Sequence, residues 1–118
     1  MVICIDFDGT CVTNEYPNIG KALPNCVEVL KKLNEKGVDL ILLTQRAGKE
    51  LIDAVEWFRE KNIKLYSVND NPSQNEWSQS RKVYANLYID DRAIGCPLAS
   101  GTVDWGEVEK ILREMGIL

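Results

Sequence analysis

An apolar run, Val2 to Ile5, breaks off abruptly into Asp6-Phe7-Asp8-Gly9-Thr10. No polar residue alternates with the apolar ones, so the run reads as a strand buried on both faces, as in a parallel sheet. Side chains along a strand alternate with period two, which predicts that Asp6 and Asp8 point the same way. Gly9 lets the backbone turn sharply without a Cβ penalty. Two carboxylates side by side at the end of a buried strand repel and are desolvated, which is unfavourable without a cation or a shared proton. The plainer reading is a hairpin, because Asp8-Gly9 is a strong turn signal between Val2–Asp6 and Thr10–Thr13.

The rest of the chain argues for the parallel sheet. After a turn-rich stretch, Cys11 to Leu23, Pro24 suits the first turn of a helix whose apolar face carries Val27, Leu30 and Leu33, and Gly37 supplies its left-handed stop. Val38 to Leu43 reads as a second strand ending in Thr44-Gln45-Arg46. A second helix is predicted from about Ala47 to Lys61, with Leu51, Ala54, Val55 and Phe58 on one face and Asn62 as terminator. Ile63 to Val68 is a shorter strand. Asn69 to Ser80 is a polar loop around Trp77 with room for one helical turn. Leu87-Tyr88-Ile89 is a strand ending in Asp90-Asp91, and Ala93 to Val103 is a loop or small hairpin. Asp104 and Glu107 form a capping-box pattern for a last helix with Val108, Ile111, Leu112 and Met115 as its buried stripe. Strands alternating with helices predict an α/β fold, a mainly parallel sheet with helices on both faces in three layers, Rossmann-like, built as one domain over residues 1–118. Ligands of such folds bind beyond the carboxyl ends of the strands.

Those strand ends carry the chemistry. The first ends in Asp6 and Asp8, the second in Thr44 and the last in Asp90 and Asp91, so a parallel sheet puts all of them on one rim. Each has a plain explanation alone. Thr44 suits a helix N-cap, Asp90-Asp91 a solvated turn, and Lys82 an ordinary surface lysine. Together, several carboxylates call for an oxygen-seeking cation such as magnesium. Magnesium, lysine and a hydroxyl are what a phosphoryl group needs around its oxygens, and an aspartate can serve as nucleophile.

Asp6-Phe7-Asp8-Gly9-Thr10 after a hydrophobic strand resembles the first motif of the haloacid dehalogenase-like (HAD) superfamily. Thr44 after Leu40-Ile41-Leu42-Leu43 resembles its second motif, Lys82 ahead of the last strand its third, and Asp90-Asp91 after Leu87-Tyr88-Ile89 its fourth. The resemblance spans Val2 to Asp91. It implies a magnesium-dependent phosphatase in which Asp6 attacks phosphorus and becomes the aspartyl-phosphate. Asp8 would protonate the leaving oxygen and later activate water. Magnesium would bind Asp6, the backbone carbonyl of Asp8 and Asp90, with Asp91 direct or supporting. Thr44 would hydrogen-bond a phosphoryl oxygen, and Lys82, in preference to Arg81, would neutralise charge. Both positions where relatives insert a cap hold only short loops, so a capless member is expected. Its specificity would come from loops, a neighbour in a homo-oligomer or a large substrate, with Tyr16, Arg46 and Trp77 available at the entrance.

Composition narrows the alternatives. Net charge is -4 with no run of Lys and Arg, so no nucleic-acid footprint is evident. The four cysteines lack Cys-x-x-Cys spacing and there is no histidine, which argues against zinc. The apolar start is too short for a secretory leader and no run approaches a membrane span, so a cytoplasmic protein is expected. Two rivals stay open. A receiver-type signalling domain would carry its phosphorylated aspartate after the third strand, where Asp70 is the sole candidate. A non-catalytic binding module would keep the fold without the turnover.

Overall fold

The computed structural model, which describes residues 1–118, places β1 (Val2–Ile5) inside a parallel sheet with β2 (Asp39–Leu42), β3 (Ser67–Val68) and β4 (Leu87–Ile89), in the order β3-β2-β1-β4. β1 pairs with β2 from Val2 opposite Asp39 to Ile5 opposite Leu42, and with β4 from Ile3 opposite Leu87 to Ile5 opposite Ile89. β1 therefore has a strand on each side, and Ile3, Cys4 and Ile5 are all buried. The parallel arrangement excludes the hairpin reading of Asp8-Gly9 and gives an α/β architecture consistent with a Rossmann-like fold.

Three helices accompany the sheet: α1 (Cys26–Glu35), α2 (Gly48–Glu60) and α3 (Trp105–Glu114). Their ends follow local chemistry. Gly37 and Asn62 stop α1 and α2 at positive φ, 77° and 59°. The Asp104 side chain accepts the Glu107 N–H at 3.1 Å, the predicted cap of α3.

Two expectations are corrected. The sheet does not carry α-helices on both faces. Ile3, Ile5, Leu40 and Leu42 share one core cluster with Val29 and Leu33 of α1, Ala54 and Phe58 of α2, and Val108 and Leu112 of α3. Alternation turns Cys4 and Ile41 to the opposite face, where they meet Ala85, with Val83 packed alongside. That face is covered by the β3–β4 connection, which forms only a 3-10 turn at Pro72–Glu76. Pro72 allows the turn to start, and Asn71 and Gln74 are buried in it. The stripe of α3 also differs. Trp105, Val108 and Leu112 are buried, while Ile111 and Met115 are 40% and 53% exposed. The indole takes the core position at the helix start, and Ile117 and Leu118, just after the helix, pack against the core at its other end.

Ala93 to Val103 is a hairpin, β5 (Leu98–Ala99) antiparallel to β6 (Thr102–Val103), separate from the main sheet. Val103 N–H donates to the Gly9 carbonyl at 3.1 Å, and the Trp105 indole N–H donates to the Thr10 carbonyl at 2.6 Å. Hairpin and helix thus hold the turn after β1 from behind. Phe7 anchors the same turn in the core, with ring centroids 5.5 Å from Trp57 and 5.7 Å from Phe58. Such aromatic pairs contribute about 1 kcal/mol each beyond the area they bury. No helix is long and apolar enough to cross a membrane.

Candidate active site

The carboxyl ends of the four strands open into a single cleft of about 1110 Å³. Asp6 and Asp8 after β1, Thr44 after β2, Asn69 after β3 and Asp90 after β4 all line it. The sheet does what a parallel sheet must, bringing distant segments to one rim.

Asp6, Asp90 and Asp91 each offer a carboxylate oxygen, and these oxygens lie within 4.8 Å of one another. Thr10, fully buried, ties them together. Its hydroxyl lies 2.9 Å from Asp6 Oδ2 and 3.3 Å from Asp91 Oδ1, and accepts the Asp91 N–H at 3.0 Å. The Asp90 carboxylate accepts the Arg92 N–H at 2.9 Å, which fixes the turn after β4. Gly9 has φ +81°, and a Cβ there would collide with the Asp91 carboxylate, so glycine is required twice over.

Burial pushes the Asp6 carboxyl up to about 7, and the Asp90 charge and the Asp91 side chain add to the rise. The Thr10 hydroxyl and the Phe7 N–H pull the other way and do not win. Burial, with a smaller contribution from its like-charged neighbours, thus disfavours the Asp6 carboxylate, and a cation beside it would offset that cost. The donors are all hard oxygens, with no histidine and no thiol among them, which fits magnesium.

Asp6 and Asp8 both line the cleft, with Phe7 between them turned into the core. Although β1 ends at Ile5, Phe7 joins Ile3 and Ile5 in the core cluster, in keeping with the alternation along the strand. The Asp8 side chain lies outside the three-carboxylate group and meets Arg46 instead. Arg46 Nε donates to Asp8 Oδ2 and Arg46 NH2 to Asp8 Oδ1, both at 2.8 Å. The other guanidinium N–H groups go to the carbonyls of Pro17 at 3.1 Å, Asn18 at 2.8 Å and Glu50 at 3.2 Å. The guanidinium carbon also stands 5.1 Å from the Phe7 ring centroid and 5.2 Å from that of Tyr16. Arg46 is 2% exposed. The Asp8 contact raises its affinity for its proton, against the opposing effect of burial.

Thr44 is at the site and is not the cap of α2, whose N-cap is Ala47. Its hydroxyl accepts the Arg46 N–H at 3.1 Å, and its own N–H donates to Asn69 Oδ1 at 2.8 Å. The hydroxyl proton remains available to a ligand.

Lys82 is not brought into the cleft. Its Nζ stands 5.8 Å from the Tyr88 ring centroid, while the residues on either side of it, Arg81 and Val83, line the cleft. Tyr88 holds this segment, donating its hydroxyl to the Val83 carbonyl at 2.6 Å and accepting the Ala85 N–H at 3.1 Å. Of the three entrance residues, Tyr16 and Arg46 line the cleft. Trp77 does not; it stands edge-on to Tyr84 at 5.5 Å. Arg92 also lines the cleft and had no signal in the sequence. Asp70 lies away from the acidic group, in a neighbouring cavity.

No protein-family model matches the chain, and no curated protein matches it. Among solved structures it is similar to a conserved protein coded by a locus from Bacteroides thetaiotaomicron. The two are 40% identical, over 98% of this chain and 91% of that one, with a TM-score of 0.84.

Proposed function

The chain belongs to the same family as the conserved Bacteroides thetaiotaomicron protein, and we propose that it is a capless, HAD-like, magnesium-dependent phosphohydrolase working through an aspartyl-phosphate on Asp6. The observation that carries this reading is the meeting of Asp6, Asp90 and Asp91 oxygens within 4.8 Å beside Thr44 in one open cleft. Asp6, Asp90 and Asp91 would hold the metal. Magnesium, when bound there, supplies positive charge that keeps Asp6 ionised and offsets the charge of a phosphoryl group.

The chain's own groups divide the work. An Asp6 oxygen attacks phosphorus; the new O–P bond forms as the bond to the leaving oxygen breaks, and that oxygen takes a proton from Asp8. Water then attacks the phosphoryl group of Asp6 and gives its proton to Asp8. This releases inorganic phosphate and restores both carboxyls. Each Asp8 oxygen has one lone pair engaged by Arg46 and a second free to carry that proton. Thr44 donates its hydroxyl to a phosphoryl oxygen. Arg81 and Arg92 both line the cleft, and we place Arg81, adjacent to Lys82 in the chain, in the neutralising role given by sequence position to Lys82. Lys82 would have to leave Tyr88 to reach the same point.

The receiver reading has no support from the geometry, since Asp70 stands apart from the acids. The test is a rapid acid quench after mixing with an aryl phosphate and magnesium, read by intact-protein mass. A phosphoryl adduct mapping to Asp6 is expected. An adduct on Asp70, or one that persists in Asp6→Asn, would contradict the reading.

A further inference from the structure

A second cavity of about 270 Å³ adjoins the cleft and shares Asn69, Arg81 and Val83 with it. Alone it is smaller than an ordinary ligand site, and three shared wall residues make it an extension of the larger one. Val83 is its one apolar wall residue. The remaining wall is amide, carboxylate, hydroxyl and guanidinium.

Those groups are free to meet a ligand. The Asp70 carboxylate, the Asn75 amide and the Arg81 guanidinium make no hydrogen bond or ion pair within the protein. Gln79 uses one N–H, to the Asn75 carbonyl at 3.2 Å, and keeps its carbonyl oxygen. Asn69 uses its oxygen for Thr44 N–H and keeps its amide protons.

The wall is also held in place. Buried Gln74 donates to the carbonyls of Ser80 at 3.2 Å and Lys82 at 2.9 Å, and accepts the Tyr84 N–H at 2.8 Å. Buried Asn71 donates to the Tyr84 carbonyl at 3.0 Å and accepts the Ser73 N–H at 3.1 Å. Two buried amides thus fix the segment that carries Asn75, Gln79 and Arg81, while those side chains themselves stay exposed. Preorganised polar groups lose little freedom on binding.

A hydroxyl both donates and accepts, and side-chain amides and carboxylates offer both complements at short reach. A wall with one apolar residue gives no platform for a flat aromatic group. We propose that this cavity is a subsite for the polyhydroxylated part of a phosphorylated sugar or polyol whose phosphoryl end lies at Asp6. The assignment of the phosphoryl end rests on the phosphohydrolase reading.

The test uses glucose 6-phosphate, ribose 5-phosphate and sorbitol 6-phosphate against inorganic phosphate and phenyl phosphate, all with magnesium. The readout is the side-chain amide NMR signals of Asn75 and Gln79 in the Asp6→Asn variant. At least one of the sugar or polyol phosphates moves both signals, and phosphate and phenyl phosphate move neither. In the native chain, Asn75→Ala raises KM for that compound about tenfold and leaves phenyl phosphate turnover unchanged. If none of the three moves the signals, or phenyl phosphate moves them equally, the subsite is overturned. Signals that move without any phosphate release by the native chain would instead overturn the phosphohydrolase reading and leave the subsite standing.

Discussion

Arg46 grips Asp8 through two parallel hydrogen bonds of 2.8 Å, one to each carboxylate oxygen. The guanidinium side chain is 1% exposed and the carboxylate 16%, so neither partner is fully hydrated. The same guanidinium binds the Pro17 and Asn18 carbonyls, so one side chain fixes both an acid at the cleft and the loop that carries Tyr16. Arg46→Met leaves Asp8 and two loop carbonyls without their donors. A loss of about 3 kcal/mol in unfolding free energy is expected. Urea titration checks it, and the Asp8→Asn change should then cost less in the Arg46→Met background than in the native chain. Equal costs would show that the pair is not coupled.

The catalytic pair should separate by step. On the proposed mechanism, Asp6→Asn should abolish the phosphoenzyme, because the carboxylate nucleophile is gone. Asp8→Asn keeps magnesium binding, since its side chain is outside the three-carboxylate group, but lowers turnover by about 10²–10⁴-fold. Calorimetric magnesium titration beside steady-state rates tests this. An Asp8→Asn protein with native turnover would exclude Asp8 as acid and base.

Asp6 makes stability depend on pH and on metal. Its folded value, raised to about 7 from 3.8, means the folded chain resists ionisation that the unfolded chain accepts. The stability this group contributes is fully present below the unfolded value and is lost as pH rises through the folded one. The metal-free protein should therefore melt at lower temperature at pH 8 than at pH 5. Magnesium held by Asp6, as proposed, would favour the ionised form, so its stabilising effect should be larger at pH 8. Thermal scans with chelator and with magnesium at both pH values would reveal it, and a larger magnesium effect at pH 5 would refute it.

How far the sequence could be read depended on the range of the interaction. β1, the stops at Gly37 and Asn62, and the Asp104 cap were legible because each is set by neighbours along the chain. The rim of Asp6, Thr44 and Asp90 was legible because a parallel sheet aligns strand ends. The partner of Asp8 was not, since Arg46 is 38 residues away along the chain. Nothing local tells a buried arginine from a solvated one. The stripe of α3 was misread for a similar reason: periodicity identified an apolar face, but only packing decides that Trp105 is buried and Ile111 exposed. The β3–β4 connection was expected as a loop or single turn, yet the face it covers could not be foreseen.

Arg81 and Lys82 offer a direct comparison. Arg81 lines the cleft and Lys82 lies against Tyr88, so Arg81→Gln should lower kcat/KM by about tenfold and Lys82→Gln by less than about twofold, a difference of about 1 kcal/mol in transition-state stabilisation. The reverse ranking would mean that Lys82 leaves Tyr88 when substrate binds, and would restore to it the role expected from its position in the sequence.

Gly9→Ala should be among the most damaging single changes. It places a side chain at φ +81° and against the Asp91 carboxylate, so both the backbone and the proposed metal-holding group are disturbed. A loss of about 1–3 kcal/mol is expected from backbone strain, read from denaturant midpoints, together with weakened magnesium binding. Native stability and native affinity in this variant would contradict the observed approach of Asp91 to the turn.

The central claim is that Asp6 is a nucleophile served by magnesium. Phosphate release from p-nitrophenyl phosphate by the native chain, with and without chelator, and by Asp6→Asn, tests it most directly. Release that requires magnesium and disappears with Asp6→Asn is the predicted result. Release that survives either the chelator or the substitution would contradict it.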